Sequence, residues 1–157
     1  MRLFKESIIY PNPDNQLLSE MENEWELKLP EDYKYFIMRY NGAEPVEKSF
    51  ECNGDSYSIT RFLCILDDPE SSNDGWYDIN VVESQIGERL TDNEDLVGIE
   101  VLPIAELLGG DYLCLDFRED NEAPDVCVWD HEESDDFEPV TYRVAGSFSE
   151  LAEMLVE

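Results

Sequence analysis

A single histidine, His131, limits the catalytic chemistry that this sequence can support. A mechanism or metal centre that needs two imidazoles is excluded, which removes HExxH zinc sites and histidine-rich metal centres. A cysteine–histidine nucleophile pair remains formally possible, but no cysteine stands at a predicted helix N-terminus, where its pKa would be lowered. Gly109-Gly110-Asp111 lacks the spacing of a dinucleotide-binding loop and the lysine of a phosphate-binding loop. Phosphoryl transfer is therefore implausible.

Carboxylates are so frequent that a pair of them is weak evidence for catalysis, since the sequence contains 39 Asp and Glu residues. Two positioned carboxylates would suffice for glycoside hydrolysis, so a carboxylate-dependent hydrolase stays open as an alternative. The acidic run Asp130–Asp136 could gather Ca²⁺, but it lacks the central glycine and the ligand spacing of an EF-hand loop. A solvated acidic loop is the simpler interpretation. We therefore expect no catalytic residues, no cofactor and no dedicated metal site, which predicts a protein that is not an enzyme.

The location of the acidic residues is more informative than their number. Between residues 111 and 138, twelve Asp or Glu residues accompany one basic residue, Arg118. Because they lie on adjacent predicted strands and their loops, we expect them to gather at one end of the sheet. Such a surface either maintains solubility or steers a basic protein partner towards it. The residues expected to contact that partner are Asp111, Asp116, Glu119, Asp120, Asp130, Glu132 and Glu133, with Trp76 and Tyr77 as aromatic anchors or, alternatively, as packing for a helix.

The overall charge excludes two classes of partner. The 39 acidic residues face 10 basic ones, which gives a net charge of -29 and a pI near 4.1. Nucleic acid and anionic membrane surfaces are polyanions and would repel this chain. No apolar run approaches the roughly 18–20 residues of a transmembrane span, and the N-terminal residues lack the core of a signal peptide. We expect a cytoplasmic protein whose four cysteines are buried, reduced thiols.

Apolar residues at helical spacing predict four helices. Asn12-Pro13-Asp14 predicts the start of the first, with Asn12 as the capping residue, and the apolar stripe continues to about residue 25. The second begins near Pro30 and ends at Asn41-Gly42. The third carries Ile79, Val82, Ile86 and Leu90, and the last starts at a capping box formed by Ser147 and Glu150.

Alternating patterns predict the strands that connect these helices. Asn53-Gly54 is a strong hairpin signal, because both residues tolerate positive φ. Pro103 places its strand at an edge of the sheet or at the strand's end. The remaining predicted strands cover residues 62–66, 97–105, 112–117, 126–129 and 140–144. This order favours a single α+β domain over residues 1–157, with a largely antiparallel twisted sheet and about four packing helices.

Four segments in order resemble the SUKH superfamily, a group named partly for fungal cell-wall-assembly regulators. The first is LPEDYKYFIMRYNGA, from Leu29 to Ala43, and the second runs from Pro103 to Asp116. The third is the strand ending in Trp-Asp-His-Glu at Glu132, and the fourth is the closing segment Ser147–Leu151. Order and spacing agree over nearly the whole chain. Ala43 departs from the pattern, since many members have a second glycine there.

The resemblance implies an α+β fold, no catalytic residues and, for bacterial members, a role as immunity proteins that neutralise toxins delivered between competing cells. Together with the acidic surface, it predicts a stoichiometric inhibitor of a basic toxin domain, such as a nuclease. A regulatory scaffold that acts on the cell's own proteins is the alternative that the eukaryotic relatives suggest. The sequence leaves the partner's identity and the oligomeric state open.

Overall fold

The structure is a computed structural model that describes residues 1–157 and contains four helices and eight strands. The helices are α1 (Asn15–Trp25), α2 (Glu31–Tyr40), α3 (Ile79–Ile86) and α4 (Phe148–Met154). The strands are β1 (Leu3–Phe4), β2 (Glu44–Pro45), β3 (Ser49–Cys52), β4 (Asp55–Phe62), β5 (Val101–Leu107), β6 (Tyr112–Asp116), β7 (Asp125–Trp129) and β8 (Thr141–Ala145).

The main sheet has six strands in the order β3-β4-β5-β6-β7-β8, and every neighbouring pair is antiparallel. The two edge strands approach each other, since the thiol of Cys52 on β3 contacts the carbonyl oxygen of Arg143 on β8 at 3.3 Å. The outer edge of β3 is covered in turn by Val156, which pairs with Ser49. The short strands β1 and β2 form a separate ribbon. The expected antiparallel α+β architecture is confirmed.

The two faces of the sheet hold different apolar clusters because side chains alternate along each strand. Leu113, Leu115 and Val126 face the main core, which contains buried residues of all four helices. Cys114, Cys127 and Trp129 point to the opposite face. The main core is closed by an aromatic group in which Phe36, Phe62 and Phe148 contact one another, with Tyr33 against Phe148.

Asn41 joins three separate segments at the end of α2. Its side chain is fully buried: the two N–H groups of Nδ2 are shared among the carbonyl oxygens of Ile9, Pro11 and Ile65, while its Oδ1 accepts from the Ile65 amide at 2.8 Å. The sequence predicted only a helix end at this residue. The long-range role was missed because the partners lie at least 24 residues away along the chain.

Three local predictions are corrected. Pro103 lies in β5, a central strand, where the register shifts before Ala105, and this irregularity accommodates a residue without an amide donor. The predicted strand over residues 62–66 stops at Phe62, although the following residues are buried. Helix α1 is capped by Asp14 rather than Asn12, since the Asp14 carboxylate accepts from the Leu17 amide.

The predicted hairpin and the last helix are confirmed in their main features. Asn53 and Gly54 both have positive φ between β3 and β4. Ser147 caps α4 by accepting from the amide of Glu150. Only half of the capping box forms, because the Glu150 carboxylate accepts from Gly146 instead of Ser147.

Candidate functional site

The acidic residues of β6 and β7 lie at two opposite ends of the sheet. Asp111 precedes β6 and Asp130 follows β7, and the pairing of Tyr112 with Trp129 puts both at one end. Asp116 and Asp125 are paired at the other end of the same two strands. Asp111 and Asp116 are therefore about 17 Å apart along the strand, at roughly 3.4 Å per residue. The expectation of a single acidic end is wrong, because a strand carries its first and last residues to opposite edges.

The first of these ends, here called the His131 end, consists of Asp111, Asp130, His131, Glu132 and Glu133. The Asp111 carboxylate lies 2.6 Å from Nδ1 of His131 and accepts from the His131 amide at 2.9 Å. Asp130 accepts from the amides of Glu132 and Glu133 at 2.9 and 3.0 Å. Asp111 and Asp130 therefore stabilise the loop that follows β7, whereas the side chains of Glu132 and Glu133 project into solvent.

Two neighbours complete the His131 end. Gly110 has a φ of +109°, and a Cβ at this position would lie 3.2 Å from the imidazole ring of His131, so the ring packs on bare backbone. The hydroxyl of Tyr142 on β8 donates to the Glu133 carboxylate at 2.8 Å. This hydrogen bond, together with partial desolvation and the charge of Glu133, raises the pKa of Tyr142 to about 12.

The His131 end could bring ligand atoms to a cation, since side-chain atoms of Asp111, Asp130 and His131 lie within 4.8 Å of one another. The hydrogen bond between Asp111 and His131, and the hydrogen bonds that Asp130 accepts from loop amides, are sufficient to explain this arrangement. Three of the four thiols, those of Cys52, Cys64 and Cys114, are not activated for nucleophilic attack. Burial raises the pKa of Cys64 to about 12 and also raises the pKa values of Cys52 and Cys114. A catalytic cysteine requires the opposite shift.

The second end, here called the Arg118 end, consists of Asp116, Arg118, Glu119, Asp120 and Asp125. Arg118 forms a bidentate ion pair with Asp116, with distances of 2.8 and 2.9 Å. Burial raises the pKa of Asp116, but the hydrogen bonds and charge of Arg118 outweigh burial and leave that pKa lowered. Glu119 and Asp120 are exposed, and the Asp120 carboxylate accepts from two amides of its own loop. Asp116 is consequently neutralised, whereas Glu119 is exposed and forms no ion pair.

The two predicted aromatic anchors differ in their surroundings. Trp76 is 71% exposed, so its ring is accessible from solvent. Tyr77 packs against the small buried cluster of Ile9, Cys64 and Leu66, and the guanidinium of Arg61 lies 4.9 Å from its ring centre. Tyr77 is therefore a packing residue, as the alternative interpretation of the sequence allowed.

Arg89 supports the His131 end, a role that its position in the sequence does not indicate. Its guanidinium donates to the carbonyl oxygens of His131 and Ser134 and lies 5.1 Å from the ring centre of Trp129. The indole of Trp129 in turn donates to the Arg89 carbonyl oxygen at 2.9 Å. No local signal could reveal this contact, because the arginine lies about 40 residues before its partners.

None of the helices is both long and apolar enough to cross a lipid bilayer. The fold and the surface together define an acidic α+β domain in which much of the exposed charge has no basic counterpart. The family model SUKH_6, described as SMI1-KNR4 cell-wall, matches residues 15–151, and the chain belongs to this family. The resemblance inferred from four short segments is thereby confirmed.

A relative in Bacillus subtilis (strain 168), the SPbeta prophage-derived uncharacterized protein YokK, is 27% identical over 159 aligned residues. The alignment covers 94% of this chain and 78% of that protein. No solved structure matches the chain significantly.

Proposed function

We propose that this protein is an immunity protein that neutralises a basic toxin domain, such as a nuclease, by covering its substrate-binding surface. Membership in the SMI1-KNR4 cell-wall family supports a protein-binding role. The observation that carries the proposal is the excess of unpaired surface carboxylates on a chain with a net charge of -29. A surface that holds phosphates is basic, so an acidic domain can compete for it.

The structure divides the candidate contact residues into two groups. Asp111, Asp116 and Asp130 are half-buried as well as held by His131, Arg118 and loop amides, which leaves them little freedom to contact a partner. The exposed residues available for a partner are Glu119, Asp120, Glu132, Glu133 and Trp76. We propose that these five residues make the contacts and that the held residues shape the loops that present them.

The proposed inhibition requires no bond to be made or broken by this chain. The acidic surface accelerates the encounter with a basic partner, because opposite charges attract over about 10 Å at 0.1 M salt. Trp76 would then bury its ring in an apolar pocket of the partner and slow dissociation. The family is generally non-catalytic, in agreement with this mechanism.

The test is affinity capture from lysate and culture of the native organism, with mass spectrometry of the proteins that elute as salt is raised. A single basic, toxin-like protein released by salt is the expected result. Recovery of endogenous regulatory or wall-synthesis proteins instead would favour the scaffold alternative and overturn the proposal.

The captured protein then allows a kinetic measurement. The association rate constant should fall by about tenfold or more between low and high salt, as expected of electrostatically steered association. Replacing Glu132 and Glu133 with lysine should slow association, whereas the matched pair Glu24→Lys and Glu153→Lys, exposed on α1 and α4, should have a smaller effect. An association rate that does not change with salt would contradict the proposal.

A further inference from the structure

A groove of about 550 Å³ lies between the end of α3, the segment 87–101 and Phe137, and none of its acidic residues is a candidate contact residue predicted from the sequence. Its volume is within the range of about 300–1,000 Å³ that is typical of ligand sites. Five of its lining residues are apolar and are called the floor here: Leu90 and Val101 are buried, and Leu96, Ile99 and Phe137 are partly exposed. The groove therefore offers a surface that could cover the aliphatic part of a side chain.

Five carboxylates line this groove, and none of them forms an ion pair within the protein. They are Glu83, Glu88, Glu94, Glu100 and Asp136. The one basic residue of the lining, Arg89, is turned towards the carbonyl oxygens of His131 and Ser134. The negative charge of the groove is therefore left without compensation from the chain itself.

Glu83 is one of the half-buried carboxylates of the groove. Its carboxylate lies against Gly87, half-buried and without a hydrogen-bond donor, and burial raises its pKa. A positive charge placed in the groove would stabilise the ionised form of this carboxylate.

The arrangement does not resemble a site for a metal ion. No three of the groove carboxylates bring ligand atoms within 4.8 Å of one another, in contrast to Asp111, Asp130 and His131. Carboxylates distributed along an apolar floor fit an extended basic group, whose alkyl stem packs on the floor while its charged head meets the rim. The ring of Phe137 adds an aromatic surface on which a guanidinium can stack.

We propose that this groove receives an arginine- or lysine-bearing segment of the basic partner protein. The inference rests on the proposed function and names a contact surface separate from the His131 end. The charge complementarity favours a peptide with alternating basic and apolar residues over an uncharged peptide, because both the rim and the floor would then be used.

The test uses the full chain and the peptide acetyl-Gly-Arg-Leu-Lys-Arg-Gly-amide, followed by ¹H–¹⁵N NMR and calorimetry. A second peptide in which glutamine replaces the basic residues serves as the uncharged control. We expect the basic peptide to shift amide signals within residues 83–101 and at Phe137 and to saturate. The control peptide should not bind.

Two charge-matched double variants distinguish the groove from general electrostatic attraction. Glu88→Lys with Glu94→Lys should weaken peptide binding about tenfold or more, whereas Glu24→Lys with Glu153→Lys should change it by less than about twofold. Equal weakening by both pairs, signal changes spread over the acidic surface, or no binding of the basic peptide would each overturn the inference.

The captured toxin-like partner separates this inference from the proposed function. If Glu132→Lys with Glu133→Lys weakens binding of that partner and the groove variants do not, the groove inference fails while the proposed function stands. If no basic toxin-like partner is captured but the peptide still occupies the groove, the proposed function fails and the groove remains a site for basic peptides.

Discussion

Replacing Asn41 with alanine should destabilise the protein more than any change on its acidic surface. The side chain is fully buried: the two N–H groups of Nδ2 are shared among the carbonyl oxygens of Ile9, Pro11 and Ile65, and Oδ1 accepts from the amide of Ile65. The substitution removes these hydrogen bonds and leaves backbone groups of two segments, residues 9–11 and Ile65, without their side-chain partner. At about 1 kcal/mol for each of three hydrogen bonds, the expected loss is about 3 kcal/mol.

This loss is a large share of the stability of a typical domain, which is about 5–15 kcal/mol. For a chain of this size it corresponds to a decrease in Tm of roughly 10 °C, at about 2–4 °C per kcal/mol. The assay is urea unfolding followed by circular dichroism and tryptophan fluorescence, with the free energy of unfolding extrapolated to water.

Two further variants test the reasoning. Asn12→Ala removes one hydrogen bond next to Asn41, because Asn12 Oδ1 accepts from the Asn41 backbone amide. This variant should lower the free energy of unfolding by only about 1 kcal/mol. Asn41→Asp keeps an acceptor for the Ile65 amide but places a carboxylate against three carbonyl oxygens. At neutral pH the aspartate variant should therefore be less stable than the alanine variant. A loss below about 1 kcal/mol for Asn41→Ala, or an aspartate variant more stable than the alanine variant, would refute the account.

Three smaller predictions follow from single contacts. The Tyr33 hydroxyl is buried without a hydrogen-bond partner, so Tyr33→Phe should raise the free energy of unfolding by about 1 kcal/mol, measured in urea. The lowered pKa of Asp116 means that its ion pair stabilises the fold above the unfolded-state pKa of about 3.9 and is lost as pH falls through the folded-state value. The stability difference between wild type and Asp116→Asn should therefore be present at pH 7 and shrink below about pH 4. Gly110→Ala should lower the free energy of unfolding by about 2 kcal/mol, because alanine is strained at positive φ and its Cβ would contact His131. Gly109 also has positive φ but has open space around it, so Gly109→Ala should show the effect of φ alone. Equal losses of stability in the two variants would show that the contact with His131 does not contribute.

The sequence by itself determined the local elements, because their signals depend on near neighbours. The apolar stripe of Tyr33, Phe36 and Ile37 repeats every three to four residues, which matches the helical period and predicts α2. Asn53-Gly54 predicted its hairpin because both residues tolerate positive φ. The excess of carboxylates was likewise a property of composition, and it indicated the charge of any partner before the fold was known.

Only the tertiary structure decided which acidic residues lie together and which are free. Asp111 and Asp116 are near neighbours in the sequence, yet the extended strand between them carries them to opposite ends of the sheet. Arg118 neutralises Asp116, whereas Arg89 supports the His131 loop and leaves the groove carboxylates unpaired. These pairings depend on strand register and on contacts between residues that are far apart in the sequence. Neither composition nor periodicity contains that information.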